Sequence, residues 1–199
     1  MRLSHRPRFV PGRRGHERGA VLVEFACVAI FLITLLAGAF DFGMAWRAGL
    51  AVTEAARAGA RVGSSSGNNL AADRELLLSA QAALSSSGML EDVQRVVVFN
   101  ASNISAVPPA CKIGTGTGQS CDALTGDQFS DLTGSSAYDA NGCIVDSARK
   151  GFCPKIRNNV QLTAHYVGIW IQVQYHYQFG LLGSVKTIER TAIMRIEPP

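Results

Sequence analysis

Residues 20–40 read AVLVEFACVAIFLITLLAGAF, and this stretch decides the fold of the chain. It contains a single charged side chain, that of Glu24. As an α-helix rising ~1.5 Å per residue it is about 31 Å long, which matches the ~30 Å hydrocarbon core of a bilayer. Trp46 and Arg47 follow where an interfacial anchor would lie. The stretch therefore predicts one transmembrane helix.

The positive charge of the chain is concentrated ahead of this stretch. The formal net charge is +4, but residues 1–18 alone contain six arginines against one glutamate. Such an arm can serve nucleic acid, anionic lipid or membrane topology, and the apolar stretch directly after it favours topology, with no nucleic-acid partner. By the positive-inside rule, the arginines lie in the cytoplasm and everything after Asp41 lies outside. We expect a single-pass cell-membrane protein with a basic leader at 1–19, a transmembrane helix at 20–45 and an exported domain at 46–199.

Two simpler interpretations of the apolar stretch stay open. One is a secretory signal peptide cut at Ala37-Gly38-Ala39, which has the small residues of a cleavage site. The other is an uncleaved signal anchor. Neither accounts for Glu24, because a charge at the centre of a bilayer costs about 2.5–3.5 kcal/mol on insertion scales. An acid inside a membrane segment is by default a functional residue.

The residues around Glu24 resemble the processing motif of type IV prepilins, which is a glycine, four further residues and then Glu-Phe. Here the motif runs from Gly19 to Phe25. The resemblance implies that prepilin peptidase cuts after Gly19, so that Ala20 becomes the first residue and Glu24 the fifth. The new α-ammonium group and a carboxylate one helical turn along, on this subunit or its neighbour, then attract each other. At ~4 Å and an effective dielectric constant of ~20 the pair is worth about 4 kcal/mol before desolvation.

Two further segments extend the similarity to the TadE-like proteins of the tight-adherence (Tad, or Flp) pilus. They are Phe40-Asp41-Phe42-Gly43 and Glu54-Ala55-Ala56-Arg57-Ala58-Gly59-Ala60-Arg61. The chain resembles the minor pilins or pseudopilins of that system over about residues 19–63. This implies a structural role in pilus assembly, with incorporation in the surface fibre left open. The implied partners are the other Tad/Flp pilins, the inner-membrane assembly platform and prepilin peptidase.

The helix is expected to continue past the membrane surface, because the segment after Asp41 lacks proline and is rich in alanine. Small residues recur there every four positions, and small faces let helices approach closely. This stripe is expected to pack either on another pilin helix or on the protein's own sheet. The candidate assembly residues are Glu24, Asp41, Gly43, Ala51, Ala55, Gly59 and Gly63.

The rest of the chain predicts a second helix and a small antiparallel sheet. The helix is expected to be capped by Asn68 or Asn69. Residues 169–179 alternate between apolar and mostly polar side chains, which predicts a strand with one buried and one solvent-exposed face. The predicted elements are a helix at about 70–84 and strands at 93–100, 169–179 and 187–196. The expected fold is therefore α+β and pilin-like, with the long N-terminal helix laid against the sheet.

Residues 101–159 form a loop-rich region that contains four cysteines in two Cys-x9-Cys pairs. In an exported domain four cysteines indicate two disulfides, with three possible connectivities. Local pairing is the first expectation, and zinc is the competing one, although the short spacing of structural zinc sites is absent. This region could instead be the binding surface of a signal-anchored or secreted adhesion protein without a pilus role. The cysteines are Cys111, Cys121, Cys143 and Cys153.

No catalytic constellation stands out in the sequence. His176 is expected on the exposed face of its strand. Five aspartates of the loop-rich region lack the spacing of a calcium loop and are expected to be solvated. We therefore expect no enzyme activity, no metal and no cofactor. These aspartates are Asp122, Asp127, Asp131, Asp139 and Asp146.

Overall fold

The computed structural model describes residues 15–113, 121–132, 138–145 and 149–198. The chain divides into two compact units, the first ending at Phe40 and the second beginning at Asp41. Helix α1, Gly15–Ser66, contributes residues to both. The leader up to residue 14 and Asp146 lie outside the described residues.

The described part of the first unit is the portion of α1 up to Phe40. None of its residues from Gly19 onward is buried. Among the described residues, α1 is the one helix long and apolar enough to cross a membrane, with a mean hydropathy of 2.7 over its most apolar 18-residue window. Exposure of these apolar side chains to water is unfavourable by about 25 cal/mol per Å² of apolar surface, so this part of α1 is compatible with a membrane span.

The second unit begins with the rest of α1, which is amphipathic by spacing. Its buried residues recur at intervals of three and four, which places them on one helical face. α1 ends at Ser66 because Gly67 adopts a left-handed φ of +58°, the usual helix-terminating conformation. The buried residues include Ala45, Ala48, Val52, Ala55, Ala56 and Ala60.

Helix α2, Ala72–Ser86, buries an apolar stripe against α1 and the sheet. The expected asparagine cap is wrong: the N-cap is Ala71, which makes no side-chain cap hydrogen bond. Asn69 instead accepts a hydrogen bond from the Ala71 backbone at 2.9 Å. Asn69 therefore shapes the turn before the helix, because an Asx side chain can mimic a backbone turn.

The sheet has five strands: β1 Val93–Asn100, β2 Cys121–Thr125, β3 Arg149–Lys150, β4 Tyr166–His176 and β5 Val185–Arg195. It is antiparallel throughout, and its strands lie in the order β3-β2-β1-β4-β5. β1 and β4 form its centre, with Val97 opposite Trp170. β5 pairs along the full length of β4 and starts two residues earlier than expected.

Both faces of the sheet are buried at its centre. One face packs on α1 and α2, and the other forms a second core in which Trp170, Val97 and Phe99 contact each other and the cysteine pair near β2. The prediction of one solvent-exposed face is therefore wrong at Trp170, which is 2% exposed. The cause is the segment after β1, which folds back over this face and could not be inferred from strand periodicity.

The loop-rich region contains short elements around two disulfides. Cys111 is bonded to Cys121, and Cys143 to Cys153. β2, which sequence periodicity missed, pairs with β1 and is followed by α4, whose Thr125 forms a capping box with Gln128. The short elements are α3 Pro109–Lys112, α4 Gly126–Ser130 and a 3₁₀ turn at Pro154–Ile156.

Candidate functional site

Gly19, Ala20, Glu24 and Phe25 lie on α1 in the first unit, and Glu24 is exposed. A Cβ placed on Gly19 would meet no atom within 4 Å. The side chains beside Glu24 are apolar and exposed, with Phe25 at 71%. This end of the helix thus combines one carboxylate with a surface suited to lipid or to apolar helices.

Asp41 lies at the start of the second unit and is fully buried. Its Oδ1 accepts hydrogen bonds from the backbone N–H groups of Gln178, at 3.0 Å, and Phe179, at 3.2 Å. Hydrogen bonds to a charged group are worth about 1.5–3 kcal/mol each. Asp41 therefore holds the β4–β5 hairpin against α1. Burial, together with the negative charge of Asp41, also raises the pKa of Tyr175, whose hydroxyl has no hydrogen-bond partner among the described residues.

The stripe of small residues does not lie on one open surface. A Cβ on Gly63 would be 2.4 Å from Leu76 Cδ1, and one on Gly59 would be 3.1 Å from Ile169 Cδ1. These two glycines let α2 and the sheet approach α1 closely. Ala55 is fully buried, Ala51 is half-buried, and Gly43 faces open space. The C-terminal end of the stripe is thus occupied by contacts within the second unit.

A groove of about 260 Å³ lies between α1 and β5 in the second unit. Phe42 and Trp46 line it from the helix, with ring centroids 6.4 Å apart. Lys186 and Arg190 line it from β5. Sequence reasoning placed Trp46 near a membrane surface but missed the two cations, because only strand pairing brings β5 beside this part of the helix.

A buried polar cluster includes Asp73 in the first turn of α2. Arg157 forms an ion pair with Asp73, both side chains being inaccessible to solvent, and it also donates to the Phe152 carbonyl at 3.1 Å. The guanidinium carbon lies 4.6 Å from the centre of the Phe152 ring. Burial raises the pKa of Asp73, against the opposing effect of Arg157.

Asp122 belongs to the same cluster, so the expectation that it is solvated is wrong. Its Oδ1 accepts from the Gly151 backbone at 3.0 Å, and burial with the nearby charge of Asp73 raises its pKa to about 7. Asp122 lies within 4.8 Å of the sulfurs of Cys143 and Cys153. Those sulfurs form a disulfide, which leaves neither of them as a thiolate for a metal. The Cys143–Cys153 pair is therefore a disulfide and not a pair of zinc ligands.

Comparison with known proteins identifies the N-terminal region. Curated protein sequences and solved structures gave no match to the chain. The sequence model of the TadE-like protein family matches residues 19–61, which run from Gly19 through the carboxylate at Glu24 and the hairpin-holding Asp41 to the end of the alanine-rich segment. The chain therefore carries a TadE-like segment at residues 19–61.

Proposed function

We propose that this chain is a TadE-like minor pilin or pseudopilin that takes part in assembling a Tad pilus. The observation that carries the proposal is the TadE-like match, which covers the apolar stretch and most of the part of α1 that belongs to the second unit. On this proposal α1 anchors the chain in the cell membrane as a single pass, with the basic leader inside and the second unit outside. The proposed role is structural and includes no catalytic step.

Glu24 is the residue on which assembly depends in this proposal. It is an exposed acid among exposed apolar side chains, a position that is unfavourable in lipid unless a cation lies nearby. Cleavage after Gly19 would supply that cation as the α-ammonium of Ala20. Because the pair can form between neighbouring subunits, it favours one axial register over others. In this proposal the partners that dock with Glu24 in this register are the other pilins and the inner-membrane platform.

The second unit supplies the folded domain that such a subunit would present outside the membrane. Its fold rests on its own core of α1, α2 and the sheet. Two disulfides within the 101–159 region suit an oxidising compartment outside the cytoplasm. The exported orientation and the disulfides thus support each other.

The processing step is tested by intact-mass measurement and N-terminal sequencing of the full chain extracted from membranes of a cell that makes the pilus. We expect a mature chain that starts at Ala20. A chain that keeps its leader, or that starts at Phe40, would contradict the proposal. It would favour a signal-anchored or secreted binding protein instead.

The role of Glu24 is tested with Glu24→Gln and a matched control, Glu54→Gln. Glu54 is also an exposed acid on α1, but its carboxylate pairs with Arg57 outside the apolar stretch. Both variants should reach the membrane in normal amounts. Only Glu24→Gln should reduce surface pili and the amount of this chain that co-purifies with other pilins. Normal piliation by Glu24→Gln would exclude the proposed pairing.

A further inference from the structure

The tip of the β4–β5 hairpin is strongly apolar and faces outward. Residues 177–184 read YQFGLLGS and contain no charge. Phe179, Leu181 and Leu182 are 59%, 52% and 52% exposed. Three large apolar side chains exposed within one turn are a feature typical of an interaction surface.

The position of this tip is fixed by Asp41. The carboxylate of Asp41 binds the backbone of Gln178 and Phe179. Asp41 is bonded in the chain to Phe40, the last residue of the apolar stretch. The hairpin tip is therefore held beside Asp41, the first residue after the apolar stretch, although Gln178 and Asp41 are 137 residues apart in sequence.

Two aromatic residues of α1 lie at the same level. Phe42 and Trp46 are 59% and 63% exposed, and they follow Asp41 by one and five residues. At ~1.5 Å per residue they lie about 1.5–8 Å beyond it along the helix, which is within the ~5–8 Å headgroup layer of a bilayer leaflet. Aromatic side chains are enriched at that depth.

The groove beside these aromatic residues adds positive charge. Lys186 and Arg190 line it from β5, and Arg47 follows Trp46 on the helix. Cations next to a membrane surface are attracted to anionic lipid headgroups. An apolar tip, two aromatic rings and adjacent cations together match the chemistry of the lipid–water interface.

We infer that the hairpin tip inserts into the interfacial layer of the same bilayer that α1 crosses. We call the five side chains involved the interfacial patch: Phe42, Trp46, Phe179, Leu181 and Leu182. The inference rests on the proposed membrane anchoring of α1. It gives the second unit a contact with lipid of its own, in addition to its covalent link to the apolar stretch.

The test places an environment-sensitive fluorophore on the full-length chain in vesicles of phosphatidylcholine and phosphatidylglycerol. The label is attached through Leu182→Cys in a Cys27→Ser background with both disulfides intact. Leu162→Cys is the matched control, because Leu162 is also an exposed leucine, at 91%, and precedes the opposite end of β4. That strand is about 35 Å long at ~3.3 Å per residue. Lipids with a nitroxide near the headgroup serve as quenchers.

We expect a blue-shifted emission and several-fold stronger quenching at position 182 than at 162. A separate label on the native Cys27, which lies seven residues inside the apolar stretch, reports insertion of α1 when the nitroxide is carried on the acyl chain of the lipid. Quenching at Cys27 with equal, weak quenching at 182 and 162 would overturn the inference while leaving the anchoring proposal intact. No quenching at Cys27 would overturn both. Protection of position 182 that appears only at high protein-to-lipid ratio would show that a second copy covers the tip, and would also overturn the inference.

Discussion

Replacing Arg157 with methionine removes one member of the buried ion pair and leaves Asp73 without its partner. Both side chains are inaccessible to solvent. Breaking such a pair costs about 3–5 kcal/mol, because an uncompensated charge stays buried. Typical domains are stable by only ~5–15 kcal/mol, so the loss is a large share of the total. At ~2–4 °C per kcal/mol for chains of this size, the melting temperature should fall by roughly 6–20 °C.

The assay is urea and thermal unfolding of the full chain in detergent, followed by the fluorescence of buried Trp170 with both disulfides intact. Arg57→Met is the matched control, since Arg57 pairs with Glu54 while both side chains are more than half exposed. That variant should lose less than about 1 kcal/mol. Equal, small losses in Arg57→Met and Arg157→Met would refute the reasoning.

A second substitution separates the buried charge from the lost packing. Asp73→Asn combined with Arg157→Met removes both charges, so the double variant should be more stable than Arg157→Met alone. The loss caused by Arg157→Met should also shrink at acidic pH. Burial raises the pKa of Asp73, and protonation of this acid as the pH falls removes the unpaired charge. A double variant no more stable than Arg157→Met would show that the lost contacts with Phe152 dominate.

Two further predictions concern single positions in the second unit. Gly63→Ala should lower the free energy of unfolding by about 1–3 kcal/mol, because its Cβ would lie 2.4 Å from a buried Leu76 side-chain atom. Gly43→Ala has open space around it and should raise the free energy of unfolding by up to ~1 kcal/mol. Chemical denaturation measures both, and equal effects would exclude the close packing. Burial raises the pKa of Asp122 to about 7. Between pH ~4 and ~7 the Asp122 carboxyl is therefore ionised in the unfolded chain but still protonated in the folded chain. The free energy of unfolding should fall as the pH rises through this range, by on the order of 4 kcal/mol. Asp122→Asn should flatten this profile in urea titrations while Asp127→Asn leaves it unchanged; an unaltered slope in Asp122→Asn would contradict the assignment.

The regular elements could be predicted from sequence because each depends on local pattern. The apolar stretch from 20 to 40 is uninterrupted, β1 is a β-branched run, and β4 alternates with period two. The TadE-like resemblance, expected over about residues 19–63, is confirmed by the family match at residues 19–61, because its motif residues lie close together in sequence within one helix.

The parts that sequence reasoning missed depend on contacts between distant residues. Asp122 looked like a loop acid, and it is buried because β2 pairs with β1 and because Arg157, 35 positions later, folds against the same cluster. The hairpin tip at 179–182 is an apolar run at a turn, which was a usable signal. The position of this tip beside Asp41 could not be predicted from sequence, because it depends on how the complete sheet packs on α1.

The strand order has a consequence for when the second unit can fold. β4 is the partner of β1, yet more than sixty residues separate Asn100 from Tyr166. Since polypeptides emerge from the ribosome N-terminus first, β1 can pair with β2 but has no partner on its other edge until β4 has been synthesised. The two disulfides close short loops, each with a sequence separation of 10, and need no such delay. The last strands to be synthesised thus complete the domain, and a chain truncated before β4 should expose β1 to other unfolded chains.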